Sequence, residues 1–315
     1  MRQHAVPMIL FIVGPTGTGK SDAAVRVAAA VGGEIVSADS MQFYRGMDVG
    51  TAKPGPAQRE QVPHHLLDVA DPDQPYNVAR FYDDATRAID GILRLGRLPL
   101  VVGGSGLYVR ALSCKLDLPI AEPDDTLRRR LHETAKAQGP EFLHARLAAV
   151  DPASAGRIHP KDVKKVIRAL EVYERTGRAI SEEYRSKPEP TDRYECLMFG
   201  LTCNREELYR RVEERCDRMV NSGLLAEVQE LLSRGYSPGL QSMQAIGYQE
   251  VAAFLRREIG FPEAVETFKR NTRRYVKRQL TWFKTDGRIH WLDVSECDPA
   301  EEILAELRQR GVAPA

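Results

Sequence analysis

Residues 14–21 read Gly14-Pro15-Thr16-Gly17-Thr18-Gly19-Lys20-Ser21, and this octet restricts the fold more than any other part of the chain. The pattern G-x-x-x-x-G-K-S is a phosphate loop when it joins a buried strand to a helix. Here an apolar run, Met8 to Val13, precedes it and a helical pattern, Ala23 to Val31, follows. A strand, a glycine turn and a helix start aim several backbone N–H groups at one point, where the helix dipole also favours an anion. Lys20 adds a point charge and Ser21 a hydroxyl suited to Mg²⁺. The octet is therefore expected to grip a diphosphate or a triphosphate.

The rest of the first third alternates strand and helix signals. Met8–Val13, Glu34–Ser37 and Leu98–Val102 read as strands, and Asp22–Val31 and Asn77–Leu95 as helices. Such alternation predicts an α/β fold, a parallel sheet covered by helices on both faces. From Glu122 to about Lys187 the β signal fades. Helices are predicted from Pro123-Asp124-Asp125 to the Gly139-Pro140 break, over Pro140–Val150, and over Asp162–Arg175 up to Gly177. Ser186 to Pro190 reads as a linker, and Cys196–Leu201 resumes the sheet. The helical block thus reads as an insertion: residues 1–121 and 188–315 form the core and 122–187 the inserted domain. Later helices are predicted over Arg205–Ser222, Leu224–Leu232, Phe261–Lys284 and Ala300–Arg310, with a closing strand over His290–Val294.

Bulk properties exclude several classes. The chain has 315 residues, 43% hydrophobic and 28% charged, as in an ordinary globular protein. Its net charge is +1, so a nucleic-acid site must come from local clustering of the 45 Lys and Arg residues. Five cysteines without a C-x-x-C pair argue against both a disulfide framework and a zinc site. The apolar start is too short for a signal segment or a membrane span. A cytoplasmic protein without membrane contact is expected.

Three further features bear on chemistry. First, the apolar strand Leu98–Val102 ends in Gly103-Gly104-Ser105-Gly106, without the carboxylate that holds Mg²⁺ in ordinary phosphate-loop NTPases. The carboxylate at a comparable place is Asp39, which fits a proton acceptor for an incoming nucleophile and equally a turn cap. Second, Lys269–Lys284 holds seven basic residues, no acidic one, and Tyr275, Trp282 and Phe283. Arg270, Arg273, Arg274 and Lys277 share one helical stripe, which asks for an anion such as an RNA backbone. Arg128-Arg129-Arg130 and Lys161, Lys164, Lys165 and Arg168 add smaller clusters. Third, His64-His65 resembles a metal pair, but adjacent side chains on a strand diverge, so a structural role is expected.

Taken together these residues resemble the bacterial tRNA dimethylallyltransferase (tRNA isopentenyltransferase) family. The likeness runs from about Met8 to Leu292: GPTGTGKS, then SADSMQFYRGMDVGTAKP at 37–54, HHLLDVADP at 64–72, GGSGLY at 103–108, IRALEVY at 167–173, QAIGYQE at 244–250 and KRQLTWFK at 277–284. Ser105 departs from the Thr common in relatives, and the zinc finger of eukaryotic relatives has no counterpart. The resemblance implies a P-loop NTPase-like parallel sheet core with an inserted helical domain that clasps the tRNA anticodon stem-loop. It implies prenylation, from dimethylallyl diphosphate, of the exocyclic amine of the adenosine 3′ of the anticodon. Asp39 is then the catalytic acceptor, with Thr16 and Arg215 on the leaving diphosphate, Gly14 to Ser21 cradling it and Ser21 on Mg²⁺. RNA contacts are implied for Asp39, Ser40, Met41, Gln42, Ser105, Arg128, Lys164, Lys165, Val166, Ile167 and Arg168. They are also implied for Gln244, Ala245, Ile246, Gly247, Tyr248, Gln249, Lys277, Arg278, Gln279, Trp282 and Lys284. A monomer is expected.

Three rivals stay open on the residues alone. A small-molecule or nucleotide kinase would use the same loop on ATP. An isopentenyltransferase for free adenine nucleotides would need neither the insertion nor the basic segment. A non-catalytic RNA-binding protein would use the loop only as an anion pocket.

Overall fold

The structure, a computed structural model, describes residues 6–115, 124–183 and 189–314. The chain divides into two compact units, one up to Ser113 and again from Thr191 onward, the other Cys114–Pro190. The second unit opens and closes on one bridge, Cys114 antiparallel to Pro190, with Lys115 N–H donating to Glu189 O at 2.8 Å. Pro123 and residues 186–188 of the expected linker lie outside the described residues.

The first unit is built on six parallel strands: β1 Met8–Val13, β2 Glu34–Ser37, β3 His64–His65, β4 Pro99–Gly103, β5 Glu195–Thr202 and β6 His290–Asp293. Their order is β3-β2-β4-β1-β5-β6. In β1 the side chains from Ile9 to Val13 are fully buried. Leu10 and Ile12 pack on one face of the sheet, while Ile9, Phe11 and Val13 pack on the other. An apolar run without alternation is what a parallel strand covered on both faces requires.

Helices α1 Lys20–Val31, α2 Pro56–Gln61, α3 Val78–Arg94 and α4 Gly106–Ser113 precede the insertion. The second unit holds α5 Asp125–Gln138, α6 Pro140–Val150, α7 Pro152–Ala155, α8 Val163–Thr176 and α9 Ile180–Glu183. Its core is Leu127 and Leu131 of α5, Leu143 and Leu147 of α6, and Val166, Ile167 and Leu170 of α8. Val166 and Ile167, expected at the RNA, are packed inside this core at 0% and 3% exposure, because they fall on the apolar stripe of α8.

After β5 come α10 Arg205–Met219, a π turn over Val220–Leu224, α11 Leu225–Ser233, a 3₁₀ turn over Ser242–Gln244, α12 Tyr248–Leu255, α13 Phe261–Phe283 and α14 Pro299–Gln309. Long helix α13 buries Phe268, Thr272, Val276, Gln279 and Phe283, one face at steps of three and four. No helix among the described residues is long and apolar enough to cross a membrane.

Candidate active site

The phosphate loop leaves β1 and enters α1. Gly14 turns at φ 130°, where a Cβ would meet the carbonyl oxygen of Leu201 at 2.5 Å, so no other residue fits. Gly19 at φ 80° caps α1 in the left-handed region. The Pro15 carbonyl accepts from Thr18 Oγ1 at 2.9 Å and from Lys20 Nζ at 2.6 Å, which pins the loop from inside.

The loop forms the floor of a pocket of about 640 Å³, open to solvent. Thr16, Lys20, Ser21, Asp39, Gln42, Arg215 and Gln279 meet there, from elements up to 263 residues apart in sequence. Sequence reasoning missed Ser37, Ala52, Pro54, His64 and Tyr275, which also line it. Arg215 reaches the pocket because it lies on the inner face of α10, beside Leu208, Val212, Cys216 and Met219. Its neighbours Arg210 and Arg211 point outward and pair with Glu207.

Electrostatics in the pocket favour an anion. Burial, with Arg215 adding to it, lowers the Lys20 ammonium to about 7, and Asp39 pulls the other way. Burial likewise lowers the Arg215 guanidinium, again opposed by Asp39. Two dehydrated cations facing one carboxylate leave an excess of positive charge that a diphosphate relieves.

Asp39 follows β2, lines the pocket, and fills the turn-capping one of the two roles that its position allowed. Its Oδ1 accepts the Met41 N–H at 2.9 Å, which fixes the turn. For Oδ2 no hydrogen bond is found among the described residues. Ser105 Oγ accepts the Ser40 N–H at 2.9 Å, tying the ends of β2 and β4 together. Burial together with Asp39 pushes the Tyr275 hydroxyl up to about 12, with Ser105, Arg278 and Gln279 pulling the other way. β4 ends in glycines and Ser105, with no carboxylate over the phosphate loop.

Gln279 adds to an expectation. It is 6% exposed; its Oε1 accepts the Thr16 N–H at 3.0 Å and its Nε2 donates to Gly104 O at 3.0 Å. A Cβ on residue 104 would sit 2.1 Å from that Nε2. Its amide thus fastens the phosphate loop to β4, a structural task that the RNA expectation did not include. Gln42 is similarly committed: its Oε1 accepts from Ser37 Oγ at 3.1 Å, and its Nε2 donates to the carbonyls of Thr51 and Ala52.

The wall bearing Ala52 and Pro54 is held by charges. Glu227 on α11 accepts the N–H groups of Asp48, Val49 and Gly50 at 2.9, 2.7 and 3.1 Å, and the Tyr248 hydroxyl at 2.5 Å. The Lys53 ammonium, wholly buried, donates to Tyr44 O, Asp48 and Asp68. In QAIGYQE, Ala245, Gly247 and Tyr248 are buried, and Glu250 caps Gly247 N–H at 2.7 Å. That motif therefore braces the wall, while Gln244 stays exposed and Ile246 and Gln249 half-buried.

His64 donates Nδ1–H to the Val62 carbonyl at 2.7 Å, since a carbonyl only accepts, so Nε2 keeps its lone pair. Burial holds this imidazole below its usual range. His65 bonds instead to Glu34 at 2.6 Å.

The basic stripe of α13 is only partly unpaired. Lys269 pairs with Asp217 at 2.7 Å, and Arg273 pairs with Glu213, both acids coming from α10. Those partners lie 50 to 60 residues away and carry no signal within α13 itself. Lys277, Arg278, Trp282 and Lys284 are exposed, Arg278 lying over Tyr275 and Arg110 over Trp282.

A profile of the IPP transferase family matches residues 42–286, and an isopentenyl transferase profile matches residues 7–69. The chain belongs to the IPP transferase family. It is 50% identical to a tRNA dimethylallyltransferase of Pelotomaculum thermopropionicum over 299 residues, 95% of each chain. It is also 50% identical to that of Desulforudis audaxviator, over 96% of this chain and 98% of the other. The crystal structure of a full-length tRNA isopentenylpyrophosphate transferase from Bacillus halodurans is 40% identical, with a TM-score of 0.70 over 96% and 95% of the two chains. A eukaryotic dimethylallyltransferase acting on tRNA is 30% identical, with a TM-score of 0.76 over 91% of this chain and 74% of that one.

Proposed function

We propose that this chain transfers a dimethylallyl group from dimethylallyl diphosphate to the exocyclic amino group of the adenosine 3′ of the anticodon in tRNA, releasing diphosphate. One observation carries this reading. The phosphate loop opens into a pocket where a cationic cradle, Lys20 and Arg215, faces a single carboxylate, Asp39, and β4 adds no acidic residue. That pocket suits departure of a diphosphate from carbon. The relatives named above support it as far as their names go, which is tRNA dimethylallyltransferase.

In the step itself the amine nitrogen attacks the allylic carbon, the carbon–oxygen bond to diphosphate breaks, and the amine proton passes to Asp39. Lys20, Arg215 and the loop N–H groups stabilise the charge gathering on the departing diphosphate. The adenine must leave its stack to reach this pocket. Exposed Lys277, Arg278 and Lys284 in the first unit, and Arg128, Lys164, Lys165 and Arg168 in the second, supply basic surface for the RNA backbone.

Among the described residues no group of three His, Cys, Asp or Glu side chains is placed to hold a metal. The pocket offers the Ser21 hydroxyl and the Asp39 carboxylate, two hard oxygen donors. That set suits Mg²⁺, which keeps several waters and takes further ligands from phosphate. When bound, Mg²⁺ would neutralise diphosphate charge.

The test is incubation with radiolabelled dimethylallyl diphosphate and unmodified tRNA. Label in the RNA at that adenosine supports the reading. Label only on a free adenine nucleotide, or ATP hydrolysis driven by a small alcohol, supports a rival.

A further inference from the structure

Glu171, in the middle of α8, has none of its side chain exposed. A carboxylate is kept out of water only when its charge is paired and its lone pairs are used. Here both oxygens are engaged. Oε1 accepts the Asp124 N–H and Arg128 Nε, each at 2.8 Å. Oε2 accepts Arg128 Nη2 at 3.0 Å and Arg168 Nη1 at 2.7 Å. Burial pushes this carboxyl up, but the bonds from Arg128, Asp124 and Arg168 outweigh it and hold the group below the usual carboxylate range.

One anion thus fixes two guanidiniums carried by two helices, α5 and α8. Both reach the surface: the Arg128 side chain is 36% exposed and that of Arg168 32%. One turn along α8, Glu174 repeats the arrangement with Arg130 of α5 and Arg146 of α6, at 2.7 and 2.9 Å. Stability alone gives no reason for the buried acid, because an apolar side chain of similar volume often serves a core as well as an ion pair does. What a carboxylate does and a leucine does not is hold planar forks in a set orientation at the surface. Such forks match phosphate oxygens, and a fork already held loses less freedom on binding.

We propose that Glu171 is a positioning residue for RNA, orienting Arg128 and Arg168 so that their outward edges grip backbone phosphates. The inference rests on the tRNA reading above.

The test is fluorescence anisotropy of the full chain with an unmodified tRNA transcript, across a salt series. Glu171→Gln removes a negative charge, so charge alone predicts tighter binding. Positioning predicts the opposite: a Kd raised about five-fold or more, from two side chains that must now be ordered on binding. The slope of log affinity against log salt should flatten by about 0.7 to 0.9 for each phosphate no longer neutralised. Arg128→Lys keeps the charge and loses the fork, and should weaken binding in the same direction. It decides the matter if Glu171→Gln does not fold by circular dichroism. Pyrophosphate affinity by calorimetry should be unchanged in both variants. Unchanged or tighter tRNA binding by folded Glu171→Gln, or by Arg128→Lys, overturns the proposal and leaves the tRNA reading standing. A wild-type chain that binds the transcript no better than an unrelated RNA hairpin overturns the reading itself.

Discussion

Gln279 gives the sharpest test of how this pocket is assembled. Its amide satisfies the Thr16 N–H and the Gly104 carbonyl at 3.0 Å each. Gln279→Leu keeps most of the volume and orphans both groups. A buried polar group left without a partner costs about 1–3 kcal/mol. Both residues line the pocket, but the Gly104 bond is buried and the Thr16 bond only partly so. We therefore assign about 2 kcal/mol to the carbonyl and about 1 kcal/mol to the N–H, roughly 3 kcal/mol together. The first part should appear in urea unfolding as a lower midpoint at constant slope. The second frees the first turn of the phosphate loop, so pyrophosphate affinity by calorimetry should fall about five-fold while tRNA affinity stays within two-fold. Gln279→Glu should be worse for the donor than Gln279→Leu, since it sets a second carboxylate beside the diphosphate and faces the Gly104 carbonyl. Wild-type stability and pyrophosphate affinity in Gln279→Leu, with tRNA binding lost, would refute this reasoning and return Gln279 to the RNA.

Asp39→Ala and Asp39→Asn should cut turnover by about two to four decades with tRNA affinity held within a few-fold, read by single-turnover prenylation and anisotropy; near-normal turnover removes Asp39 from the mechanism. Changing Lys277 and Arg278 together to Ala should weaken tRNA binding and flatten its salt dependence by about 0.7 to 0.9 for every phosphate left without its cation; a lost donor site with intact tRNA binding would make them structural. Lys20 sits at about 7 in the free protein, and a diphosphate beside it must raise that value. Binding of dimethylallyl diphosphate at pH 8 should therefore take up protons, measured as a buffer-dependent heat, and Lys20→Arg should abolish the uptake. In the free protein, between about 7 and the ordinary 10.5, the folded state holds fewer protons than the unfolded chain. The lysine's unfavourable contribution is full below 7 and fades as pH rises through that window.

The sheet was readable because its longer parallel strands are apolar runs bounded by turn residues. Met8–Val13 and Glu34–Ser37 are found at the expected bounds, and β5 resumes one residue before Cys196. Several short elements escaped. β3 is only His64–His65, and α4 and α12 begin inside GGSGLY and QAIGYQE, whose glycines read as loop. In the site, the phosphate loop was legible because its chemistry is local. Gln279 was not, since it stands in a run of basic residues. Yet its spacing from Phe268, Thr272, Val276 and Phe283 puts it on the buried face, and a polar residue there was the available signal. The pairing of Lys269 and Arg273 with Asp217 and Glu213 had no signal in α13, because ion pairs between helices depend on packing.

Glu227 bears on which anions this protein can recognise. Three consecutive N–H groups gathered on one carboxylate, as those of Asp48, Val49 and Gly50 are, make a seat for an oxyanion similar in kind to a phosphate loop. The chain seats its own carboxylate there. That carboxylate is tethered, so its local concentration is set by the fold and stays high whatever circulates in solution. Of these two similar cradles, the one at residues 14–21 opens to a pocket and the other is permanently taken. Address, in this molecule, is settled by prior tenancy: a free phosphate group is turned away from one seat because it arrives late.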